Sequence, residues 1–243
     1  MNKMPLIALV GMLSLSSAVS AAEEFSYTAK VGADMWWGST KLNEARSSDS
    51  NSPSLYFAFE HNAPMLPNAS FRYTSVDADS LAFDKYDYTF YYTLLDHTLM
   101  NFDAGVTFTQ YSNSNYIEPK ATDAKTSAFD EFTWSFYGNA EINVPDTNFD
   151  IIGTMEFGDS SGIKSTDLMA GVQYRIPVSE SEIALRGGYR VIDLDSDEFF
   201  DSELGKNFVM VDGWFAGCKA SHVRLLKKHL IYIRIVAIVF VPF

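Results

Sequence analysis

"FSYTAKVGADMWW" (residues 25–37) separates into two surfaces when it is counted by twos. Phe25, Tyr27, Ala29, Val31, Ala33, Met35 and Trp37 are apolar, whereas Ser26, Thr28, Lys30, Gly32 and Asp34 between them are polar or small. Successive side chains of a β-strand point to opposite faces, so the stretch reads as a strand with one apolar wall and one wet wall. It is longer than the ~5–6 residues of an ordinary strand and reaches the ~9–11 that cross a bilayer at a tilt.

The same period returns down the chain. Leu55, Phe57 and Phe59 alternate with Tyr56, Ala58 and Glu60, and Phe71 and Tyr73 flank Arg72. Tyr86 to Leu94, Met100 to Phe108, Phe132 to Ile142, Phe149 to Phe157, Leu168 to Ile176, Ile183 to Val191 and Phe208 to Ala220 continue it. Together these make ten candidate strands with no helical period between them. The connections alternate between tight ones ("NAPMLPN", "LDHT", "VPDTN", "PVSES") and long ones ("GSTKLNEARSSDSNSP", "VDADS", "YSNSNYIEPKATDAKTS", "GDSSGIKS", "DLDSDEFFDSELGK"). Short turns at one end and long loops at the other are the habit of outer-membrane barrels. The expected fold is all-β: an up-and-down antiparallel transmembrane β-barrel of about ten strands, over residues 23–222.

Charge placement supports a polar lumen. Lys30, Glu60, Arg72, Asp87, Asp103, Glu131, Glu141, Glu156, Asp167, Arg175, Arg186 and Arg190 lie mid-strand on the wet face, with both signs present. Inside a barrel such a wall can neutralise itself by ion pairing, whereas one Lys or Arg turned to lipid at mid-membrane costs ~2–4 kcal/mol. Trp36 and Trp37 near a strand end suit an interfacial aromatic girdle. A soluble periplasmic β-sandwich or lipocalin-like carrier shows the same alternation, with the apolar faces on a core and the polar faces in water.

Residues 1–22 read as a secretory signal peptide: Lys3, then the apolar run "PLIALVGMLSLSSAVS", then small residues at Ala21 and Ala22. The net charge of -13 argues against a nucleic-acid partner, which a basic patch would recruit. One cysteine, Cys218, leaves no intrachain disulfide to make.

"YFAFEHNAPMLPNASFRYTSV", "DYTFYYTLLDHTLMNFDAGVTF" and "LRGGYRVIDLD" resemble the proteobacterial outer-membrane β-barrel family named for a Gly-Gly motif. The resemblance rests on Glu60–His61 before "APMLPN", on Tyr91–Asp96 and on Leu185–Asp195, and runs to about Ser221. It implies a location in the cell outer membrane and a barrel architecture. It supplies no catalytic residues, because the family's function is unassigned. Its implied partners are outer-membrane lipid, lipopolysaccharide and the barrel-assembly machinery.

The sequence reads as non-enzymatic, with no cofactor. An omptin-like protease, also ten-stranded, would need His and Asp at the outer rim. His61 and His97 fall in expected inner turns, and His222 and His229 in the terminal region. Asp193, Asp195 and Asp197 have the opening spacing of a calcium loop, but Glu198 replaces the turn glycine and Leu204 the final Glu. They stand as a weak divalent-cation candidate only. Gly187 and Gly188 inside a strand point to a bend or a close approach. Ten strands with a charged interior suggest a plugged or very narrow lumen.

Trp214, Ala216, Cys218 and Ala220 keep the apolar phase of a last strand, and the next position in phase is His222, where a barrel ending would carry Phe. The barrel is therefore expected to stop near 222. The basic and then apolar stretch 223–243 reads as an addition to it, from a shifted reading frame or a lost stop.

Overall fold

The chain builds strands that join neighbour to neighbour and then close on themselves. The structure, a computed structural model, describes residues 25–42, 45–78, 81–117, 126–196 and 208–226. Its strands are β1 (Phe25–Leu42), β2 (Ala45–His61), β3 (Asn68–Ala78), β4 (Leu81–His97), β5 (Met100–Ile117), the two-residue β6 (Thr126–Ser127), β7 (Phe132–Asn143), β8 (Phe149–Ser160), β9 (Ile163–Val178), β10 (Ser181–Ser196) and β11 (Phe208–Leu226). Each long strand pairs antiparallel with the next, and β11 lies beside β1, so the ten long strands form a closed up-and-down barrel. β6 adds a short pairing to the far end of β5. Residues 1–22 and most of 223–243 lie outside the described residues. The β10–β11 ladder ends at Ser181↔His222.

The tight connections fall where the turn chemistry puts them, with Ser179 at a φ of 54° in the β9–β10 turn. Much of what reads as long connection is strand instead. β1 and β2 stay paired out to Leu42↔Ala45, and "GDSSGIKS" is a two-residue hairpin in which Ser160 pairs with Ile163. Ser161 and Gly162 have φ of 53° and 74°, the left-handed pair that a type I′ turn demands. At ~3.3 Å per residue, the 17 residues of β4 reach about 55 Å, or about 42 Å in height at a ~40° tilt, against ~30 Å of bilayer core. β4 thus overruns that thickness, as do the other strands of 16–19 residues, whereas β3, β7 and β8, with 11 or 12 residues, do not.

Along that overrun the two faces exchange character. In the middle of β4, Lys85 and Asp87 are buried while Tyr88, Phe90 and Tyr92 are exposed; at its start, Leu81 and Phe83 are buried and Asp84 turns outward. β10 repeats the exchange, with Arg190 inside and Leu185 outside in mid-strand, but Ile192 and Leu194 inside and Asp195 outside beyond. The result is a barrel that is apolar outside around its middle and apolar inside at one end. The inner apolar end gathers Trp36, Val76, Leu81, Phe83, Tyr111, Ile192, Val209 and Val211.

Inward glycines let the wall bend. Gly188 pairs with Gly171 across β10 and β9, and a Cβ on Gly188 would stand 2.1 Å from the Ala170 carbonyl oxygen. Gly187 and Gly188 thus mark a close backbone approach. Gly188→Val is expected to reduce refolding to the compact, heat-modifiable form on unboiled gels. Gly153→Ala, whose new Cβ would find its nearest contact at 3.8 Å, is expected to leave it unchanged.

Candidate functional site

The mid-lumen is crossed by an ion cluster centred on Lys85. Its ammonium donates at 2.9 Å to each of Asp87, Glu156 and Asp167, which come from β4, β8 and β9. Arg190 of β10 makes a two-pronged contact with Asp167, at 3.0 Å from Nε and 2.7 Å from the terminal nitrogen, and also donates to Thr74 of β3 at 3.1 Å. Thr109 of β5 donates to Asp87 at 2.6 Å. All five charged side chains are buried. Alternation places Lys85 and Asp87 on the same inward face of β4, and the closed sheet brings the far wall to meet them.

Asp87, Glu156 and Asp167 are also the one group among the described residues whose carboxylate oxygens lie close enough together to hold a metal ion. The Lys85 ammonium already stands among them, so this arrangement has its cation built in.

Above the cluster, among the described residues, the lumen holds an apolar plug. Phe129, on the segment between β6 and β7, is buried with its ring 6.0 Å from Phe83 and 5.8 Å from Tyr111. Ser114 latches that segment: its N–H and hydroxyl donate to Asp130 at 2.8 and 2.6 Å, and its oxygen accepts from the Phe129 N–H at 2.7 Å. Trp36 lies beneath the plug, with its indole N–H on the Gly213 carbonyl and the Arg190 guanidinium over its ring at 5.2 Å.

Below the cluster the charges are paired or hydrogen-bonded, and several, Lys30, Glu60 and Arg175 among them, are more exposed. Lys30 pairs with Glu60, which also accepts from the Tyr91 hydroxyl; Arg186 pairs with Asp34 at 3.1 Å, Arg175 with Asp150 at 2.8 Å and Lys219 with Glu141 at 3.4 Å. Asp103 accepts from Thr93 and Asn139. At the short-turn rim a hollow of about 450 Å³ is lined by Thr28, Glu60, Asn68 and Thr93 together with the turn residues 61–63, Met65 and Leu66.

Of the charges expected to face the lumen, all do so except Glu131. It precedes β7 and is exposed, and its carbonyl caps the Tyr111 N–H. Trp36 is also corrected: it is fully buried in the lumen, while Trp37 is exposed on the outer wall. Adjacent strand residues cannot share a face, so only one of the pair could belong to an outer girdle. Trp214, Ala216 and Cys218 are exposed on the outer wall, and Ala220 is half-buried. Asp193 and Asp195 sit on a strand, paired in register with Thr166 and Lys164 rather than on a loop, and Asp197 lies outside the described residues. His61 and His97 stand at the short-turn end, as does His222, whose Nδ1 is 2.9 Å from the Ser181 hydroxyl. His229 lies outside the described residues.

Sequence reading put Asp34 on the wet wall without naming it among the lumen charges, and it missed Lys85, Asp150 and Lys219. The signal for Lys85 was present, two residues before Asp87 on the same face, but the apolar run that flagged the strand starts only at Tyr86. Phe129 carried no signal, being a lone aromatic in a polar connection.

No protein-family model and no curated protein matches the chain. Among solved structures it is similar to the Neisserial surface protein A (12% identity, 82% of this chain and 99% of that one, TM-score 0.35). It is also similar to the β domain of the Bordetella autotransporter BrkA (12%, 82% and 99%, TM-score 0.41) and to the outer-membrane protease OmpT from Escherichia coli (9%, 86% and 99%, TM-score 0.38). The barrel assignment stands on the strand pairing itself.

Lys85→Met is expected to destabilise the folded barrel by about 3–5 kcal/mol, because it strands three buried carboxylates without their shared cation. Urea or guanidinium unfolding in detergent, followed by tryptophan fluorescence, measures it. Arg175→Gln, at a pair whose arginine is partly exposed, is expected to cost much less.

Proposed function

We propose that the chain is an outer-membrane β-barrel of a Gram-negative envelope, non-enzymatic, serving in envelope structure or in the passage of small solutes only. The observation that carries this reading is the exchange of faces. Around mid-barrel the wall facing outward holds Leu55, Phe57, Phe90, Phe136 and Trp214, all exposed, while the ion pairs face in. In water that outer wall would be a large contiguous apolar surface of the kind that marks membrane contact. In lipid it is the solvated face, and the charges are kept from it. A lipocalin-like carrier would have the opposite polarity, and a β-sandwich would need two sheets where this chain forms one closed sheet.

The exchange also suggests the orientation. The overrun, apolar inside and acidic outside, suits an aqueous compartment beyond the bilayer, so the long-connection end faces out and the short turns face the periplasm. Export by residues 1–22, partnership with outer-membrane lipid, lipopolysaccharide and the assembly machinery, and membership of the Gly-Gly family belong to the same proposal. The Lys85 cluster and the Phe129 plug support a narrow or closed lumen rather than a porin.

Cell fractionation should place the protein with the outer membrane, and the unboiled protein should migrate faster than the boiled one. In planar bilayers the purified barrel should give no large, stable porin-like steps. A soluble periplasmic pool would reject the membrane barrel, and large steps would reject the closed lumen.

A further inference from the structure

Two lumen arginines converge on a weak acceptor. A terminal nitrogen of Arg72 of β3 lies 3.9 Å from the Met169 sulfur, and one of Arg186 of β10 lies 3.2 Å from the same sulfur. A thioether accepts hydrogen bonds poorly, and two guanidiniums gathered at one atom repel each other where the lumen walls exclude water.

Arg186 has a carboxylate in Asp34, whereas among the described residues Arg72 has none at ion-pair distance. Its register partner Asp87 is taken by Lys85 and Thr109, and its guanidinium lies over the Tyr56 ring at 5.4 Å. Asp103, the other lumen charge without an ion pair, is already satisfied by Thr93 and Asn139. Tyr56, whose ring lies under the Arg72 guanidinium, has a hydroxyl with no hydrogen-bond partner among the described residues.

We propose that the lumen binds a small oxyanion, of the carboxylate or phosphate class, between Arg72 and Arg186, with the Tyr56 hydroxyl as a further donor. Guanidinium forks present paired N–H groups that match two oxygens of one anion, which favours an oxyanion over a halide. The bound anion relieves the repulsion between the two arginines. Entry is placed at the short-turn end, where Glu60, the partner of Lys30, lines the rim hollow. The site rests on lumen geometry alone and can be tested in detergent, so its failure would leave the membrane location untouched.

The test uses the purified full-length barrel in detergent, with inorganic sulfate as probe against chloride at matched ionic strength. Sulfate is expected to raise the melting temperature saturably and chloride is not. Arg72→Gln and Arg186→Gln are each expected to weaken the apparent sulfate affinity by about tenfold or more, the loss that follows from removing a charged hydrogen-bonding partner. Arg175→Gln, at the separate Asp150 pair, should keep the full response. If Arg72→Gln does not fold, Arg72→Lys decides, because it keeps the charge and loses the fork: a weakened saturable response supports the site and an unchanged one overturns it. An absent or non-saturable response in the unmodified protein also overturns it, leaving Arg72 as a distant counter-charge to Asp87.

Discussion

A charge buried inside a closed barrel has no water to return to and must find its partner across the lumen. Lys85 meets that constraint by reaching from β4 to carboxylates on β8 and β9, on the far side of the ring. A buried pair is weak evidence of net stability, because desolvation offsets most of the attraction, yet removing one partner is severe. Its worth here is therefore specificity. The three carboxylates can share one ammonium only if β4, β8 and β9 stand at one height and one distance, so the cluster fixes the cross-section. Arg190 extends the same requirement to β10 and, through Thr74, to β3.

The cluster also divides two arrangements of the wall. Around and below it, polar and ionic groups face in and apolar groups face out; beyond it, the strands continue with the arrangement reversed. A sheet can switch in this way at no cost in backbone hydrogen bonding, because the ladder is indifferent to what the side chains carry. The exchange is written into residue type alone, at fixed parity: Leu81, Phe83, Lys85 and Asp87 all point inward from one strand. The inner apolar end then needs a lid of its own kind, and Phe129 completes it with an aromatic contact to Phe83 and Tyr111.

That inversion explains what the sequence did and did not disclose. The alternation from Phe25 to Trp37 shows the two walls directly, and the mid-strand charges from Lys30 to Arg190, Glu131 apart, lie on the wall that faces the lumen, because one apolar face repeated over ten segments is a strong signal. The overrun is hard to read for the opposite reason. Residues 45–54 and 158–165 are rich in Ser, Asp and Gly and look like loops, yet apart from the Ser161–Gly162 turn they pair as strands, because a backbone ladder needs no apolar side chain. Lys85 was missed at that boundary, where the apolar outer face begins one residue later at Tyr86. Trp36 was misplaced because neighbouring tryptophans suggest a girdle by composition, while strand parity allows only one of them outside. The convergence of β4, β8 and β9 on one ammonium depends on ring closure and cannot be read from any local pattern.

Closure and the cluster are themselves coupled at the seam between β1 and β11. Gly213 makes that seam tight: a Cβ there would stand 1.9 Å from the Trp37 carbonyl oxygen, so only glycine lets the two strands come together. The same residue's carbonyl receives the Trp36 indole N–H, and the Trp36 ring carries the Arg190 guanidinium. The last strand to join thus positions the aromatic floor on which Arg190 rests, and Arg190 in turn holds Asp167 for Lys85. An unclosed barrel would leave Trp36 without its acceptor and Arg190 without its platform. The charges that fill the lumen therefore favour the closed ring over open or mispaired sheets, which gives a polar interior a structural purpose apart from transport.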